Sequence, residues 1–175
     1  MSRARPCGEG PDGLPRRVRQ EAAWELERGK VLAVTLRNGR KPLPVTLAEE
    51  VLAVRGARQA VFEVREVDHG SWFGDWDGEL AGSDVYIGLM GGAVDAESVR
   101  VLLDDWTFEQ VAAADVGPLL TRVFSGQATL RKRTSLFFSC SHLLEARVGS
   151  SAYSAGRDAR PQGELAPGER ALTAV

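Results

Sequence analysis

The chain has 175 residues and a mass of 18.9 kDa, the size of one ordinary domain with room for short tails. Such a chain buries roughly 70% of its extended-state surface on folding, so its core needs neither disulfides nor a structural metal. A 43% hydrophobic and 26% charged composition excludes collagen, coiled coil, a disulfide scaffold and wholesale disorder.

The net charge of −2 hides a strong segregation. Residues 61–115 carry 13 acids against Arg65 and Arg100, whereas residues 116–160 carry seven bases against Glu145 and Asp158. The acidic segment either faces its basic neighbours or presents a field to a cationic partner. Lysine occurs only at Lys30, Lys41 and Lys132, so arginine supplies nearly all the positive charge. With abundant Ala, Gly and Val, this bias points to GC-rich coding and a bacterial source.

Cys7 and Cys140 are too far apart in sequence for a zinc motif or a disulfide framework. They suit a reducing cytoplasm. No run of about 18 apolar residues is present, and no apolar segment follows the basic start Met1–Pro6. The expectation is a cytoplasmic protein with no membrane span and no secretory signal.

In chain order, residues 1–13 are rich in Gly, Pro and charge and read as a disordered leader. A helix is expected from Pro15 to about Arg28, then a strand over residues 30–37 and a hairpin turn at Asn38-Gly39. A return strand through residues 40–45 is pushed to a sheet edge by Pro42 and Pro44. Residues 46–55 fit helix or strand. Residues 59–67 alternate as a strand, and residues 84–89 form another. Between these two strands, residues 68–83 read as a long acidic, aromatic, Gly-rich loop.

Asp95 and Glu97 suggest the start of a helix reaching about Asp105, with Val99, Leu102 and Leu103 as its apolar face at i, i+3, i+4 spacing. Thr107 with Gln110 suggests a capping box for a short second helix, with Trp106 as a core wedge between helices. Asp115 caps a further helix that ends at Phe124, with Gly126 closing it. Strands follow at residues 127–133, 135–140, 143–148 and 152–154. Residues 156–175 read as a disordered tail, leaving one domain over 14–155. The expected fold is α+β, with a largely antiparallel sheet whose strands lie at both ends of a central helical segment.

Chemistry-bearing patterns are sparse. The stretch Asp68–Glu79 holds two tryptophans, one histidine and four acids. Such large rings either fold back on the core or form a contact surface. Asp68 and His69, with nearby carboxylates, are the candidate divalent-metal site of a metal-dependent hydrolase. A calcium loop counted from Asp75 fails at its sixth and twelfth positions, Leu80 and Tyr86. Cys140 and His142 share a strand face, but Cys140 ends an apolar run, the setting of an inert cysteine. Glycines 88, 91 and 92 match no phosphate-binding motif and read as a turn. Arg131, Lys132 and Arg133 form a short basic patch able to touch nucleic-acid phosphates.

No complete catalytic set emerges, and nothing calls for a cofactor. The expectation is a non-catalytic domain that binds a basic macromolecule, most simply another protein, as an immunity or inhibitor protein does. Trp72 and Trp76 are the expected anchors, and Asp75 and Asp77 the expected steering charges.

Overall fold

The computed structural model describes residues 40–67, 70–134 and 140–158, all within the compact unit Ala33–Val175. The elements expected before residue 40 lie outside the described residues, as does most of the strand expected at 135–140.

Pro42 and Pro44 do not place residues 40–45 on a strand. They open helix α1, Leu43–Val54, because the first helical turn has no acceptor for the N–H that proline lacks. Val45, Ala48 and Leu52 form its buried stripe. Glu49 ties the helix forward: its Oε1 accepts the Phe62 amide at 2.8 Å and Lys41 Nζ at 2.7 Å.

Strands β1 (Glu63–Glu66), β2 (Trp72–Leu80), β3 (Ser83–Gly91), β4 (Ser98–Leu103) and β5 (Trp106–Ala112) follow as an antiparallel meander. A 3-10 turn at Ala113–Asp115 leads into α2, Val116–Phe124, and then into β6 (Thr129–Thr134), β7 (Cys140–Val148) and β8 (Ser151–Asp158). The sheet order is β1-β2-β3-β4-β5-β8-β7-β6. The expected α+β class and antiparallel sheet therefore hold at that level. The last strand, not β6, lies beside β5, because α2 carries the chain to the far edge before it returns through β7 and β8.

Two expected helices are strands. Val99, Val101 and Leu103 are buried while Arg100 between them is exposed, and that period of two wins over the i, i+3, i+4 spacing that suggested a helix. Asp104-Asp105 is the turn into β5, not a helix end. Thr107 and Gln110 lie on β5 rather than in a capping box. Gln110 takes a φ of +53° where the β4–β5 register slips between Val99 and Val101, a bulge of one extra residue on β5. The expected tail begins too early, since Gly156, Arg157 and Asp158 extend β8 against β7.

The core lies between one sheet face and the two helices. Trp72, Trp76, Ile87, Leu89, Val101, Leu103, Trp106, Phe108 and Leu144 meet α1 and α2 there, each at most 5% exposed. Arg55 joins the helices by donating to the Thr121 and Phe124 carbonyls and to Ser125 Oγ at the end of α2. A cation there also complements the helix dipole. Tyr153 closes the other end: its hydroxyl donates to Asp115 Oδ2 at 2.7 Å and accepts the Ala112 amide at 3.3 Å.

Two glycines, Gly78 on β2 and Gly91 on β3, make the packing work. A Cβ on Gly78 would lie 2.6 Å from the Trp76 ring, and one on Gly91 would lie 2.5 Å from Trp72 Nε1. The indoles lie flat over bare backbone. Gly78→Ala is expected to destabilise by about 1–3 kcal/mol, read as a lower midpoint in urea unfolding. Gly156→Ala is the control, because its Cβ would meet nothing within 4 Å and its midpoint should barely move.

Candidate binding surface on the outer face of the sheet

Residues 72–80 are not a loop. They form the nine-residue strand β2, paired with β3 along its full length. Along β2, Trp72, Gly74, Trp76 and Gly78 turn toward the helices, while Phe73, Asp75, Asp77 and Glu79 turn away, as strand alternation requires. The alternation separates the features that seemed to belong together.

Trp72 is 0% exposed and Trp76 5%. Trp72 Nε1 donates to the Ala93 carbonyl at 2.7 Å, and Trp76 Nε1 donates to the Gln59 carbonyl. Both rings are packed and both N–H groups are satisfied, so the tryptophans are core residues and not contact anchors. Trp106 is also core, but it sits on a strand: Arg157 stacks 4.9 Å from its ring centroid and approaches Asp105 at 3.6 Å.

Asp75 and Asp77 do lie on the outer face. The register sets further acids beside them: Glu79 opposes Asp84 across the β2–β3 pair, and Glu63 opposes Asp75 across β1–β2. Directly opposed like charges are destabilising. Arg65 offsets one of them, its Nη2 lying 3.0 Å from Asp75 Oδ1 while its guanidinium covers the Phe73 ring at 5.1 Å. Among the described residues, no cation reaches Glu79 or Asp84. Both are solvent-facing, as are Glu63 and Asp77. The signal for this face was present in the sequence as the period-two interleaving of Trp/Gly with Phe/Asp/Glu over residues 72–79.

The sequence charge segregation becomes spatial. The acidic segment builds β1–β5 and the basic segment builds β8, β7 and β6, so the two signs occupy opposite halves of one sheet. Arg131, Lys132 and Arg133 fall on β6, which among the described residues pairs with β7 alone. Arg131 Nε lies 3.0 Å from Glu145 Oε2. Gly88 and Gly91 lie within β3, not in a turn.

Asp68 and His69 lie outside the described residues. Among the described residues, no group of three or more His, Cys, Asp or Glu side chains is placed to hold a metal, and no helix is long and apolar enough to cross a membrane. His142 is buried at 5% exposure and opposes Arg157 across β7–β8. No protein-family model, curated protein or solved structure matches the chain.

Trp76→Phe separates packing from binding. It removes the indole hydrogen bond and part of the ring volume, so stability should fall by about 2 kcal/mol in a denaturant titration. The outer-face carboxylates keep their places.

Proposed function

We propose that the chain is a binding domain that docks a basic macromolecular partner, most simply another protein, on the acidic outer face of β1–β3. The observation that supports this reading is the outer-face group of solvent-facing Glu63, Asp77, Glu79 and Asp84 with the half-buried Asp75, in which Glu79 opposes Asp84 and Glu63 opposes Asp75. A fold selected for stability alone gains nothing from such pairs. A cationic partner converts their mutual repulsion into attraction. Asp77 and Glu79 steer the encounter through long-range charge, so association is fast at low salt and slows as salt screens it. The half-buried Tyr86, Met90 and Leu102 on the same face supply apolar contact once the partner has arrived. An immunity-like or inhibitor-like role, covering a basic surface on another protein, fits this arrangement.

The test is cross-linked affinity capture from extract of the source cells, followed by a binding titration with the captured partner. Wild type runs beside Asp77→Lys/Glu79→Lys. The expected result is a basic partner retained by wild type, released by raised salt, and bound at least about tenfold more weakly by the variant, which remains folded by circular dichroism. Equal retention by wild type and variant at low salt would remove this surface from the interaction.

A further inference from the structure

Independently of that partner, the two ends of the sheet fit one another. We propose that copies of this chain associate head to tail, with β6 of one copy adding to β1 of the next to continue the sheet. Among the described residues, β1 pairs with β2 alone and β6 with β7 alone, so these strands are the two sheet edges. All seven neighbouring pairs are antiparallel. With eight strands alternating in direction, β1 and β6 run opposite ways. A second copy set beside the first by translation, with its helices on the same side, therefore brings its β1 antiparallel to β6 and extends the ladder without a change of face.

Side-chain chemistry selects a register. Val64 and Leu130 are half-buried apolar residues that pack against the core from the two edges, and both share the helix-covered face with their partners Gly74 and Leu144. Setting Val64 opposite Leu130 places Glu63 opposite Arg131 and Arg65 opposite Thr129, with no like-charge pair. Slipping by two residues in one direction sets Arg65 against Arg131 instead, which repulsion disfavours. The charges also decide between partners. Three consecutive bases oppose pairing of β6 with another β6, the usual protection of a sheet edge. They give no protection against an edge that carries Glu63 and Glu66. The contact is heterologous, so it builds an open series of copies and not a closed two-fold dimer.

Sedimentation velocity of the full chain, over a wide concentration range at low and high salt, tests this assembly. The expected result is a concentration-dependent series that continues beyond two copies and recedes at high salt. Arg131→Glu should weaken association by about tenfold while circular dichroism and the thermal midpoint report a folded protein. Adding Glu63→Arg to the same chain exchanges the two charges and should restore the series. A monomer at every concentration at low salt would overturn the proposal, and so would assembly that stops at a dimer or is unaffected by Arg131→Glu. Failure of the folded double variant to reassemble would overturn the register.

Discussion

Two indoles lying over glycine backbone are the constraint on which the rest of this structure depends. Trp72 covers Gly91 and Trp76 covers Gly78, and each ring donates its N–H to a carbonyl outside the strand. Burying rings of this size removes about 150–250 Å² each from water, worth roughly 4–6 kcal/mol apiece as an upper bound. That is comparable to the whole net stability of many domains. Once these rings are fixed against α1 and α2, period two leaves Asp75, Asp77 and Glu79 no choice but the opposite face. Core packing and surface charge are then one decision, taken by a single strand.

The topology carries that decision across the molecule. The meander keeps the acidic strands together, and the insertion of β8 beside β5 puts the basic strand β6 at the opposite end of the sheet. A chain whose net charge is only −2 thereby presents two charged ends of opposite sign. Arg65 and Arg131 temper each end locally, through Asp75 and Glu145, without cancelling the segregation. Electrostatics of this kind governs encounter and orientation more than stability.

Much of the fold was legible in the sequence where one signal stood alone. Asp115 through Phe124 reads as a helix because Leu119, Leu120 and Val123 share one face and Gly126 ends it with a φ of +67°. Alternation marks β1, β3 and β7. The reading failed where two periods fit the same residues. Val99, Leu102 and Leu103 suit a helix, and Val99, Val101 and Leu103 suit a strand; pairing with β3 and β5 decided between them. It failed again at Pro42 and Pro44, whose missing N–H groups suit a strand edge and a helix start equally well. Over residues 68–83 the glycines suit a loop as well as a strand, and at Gly78 the residue makes room for tryptophan. The acids of the candidate surface were visible one strand at a time. Glu79 opposite Asp84 and Glu63 opposite Asp75 exist only through the register.

The central claim is that β2 divides its indoles from its carboxylates between two faces, the first for packing and the second for contact. Hydrogen exchange of the Trp72 and Trp76 indole N–H groups, followed by NMR with the backbone amides of β2 in the protein without any partner, tests it most directly. The structure predicts slow exchange of both indoles, in step with the β2 and β3 amides and close to the rate set by global unfolding. Rapid exchange of either indole, with a protected sheet around it, would mean that the ring faces solvent as a contact residue and would contradict the account.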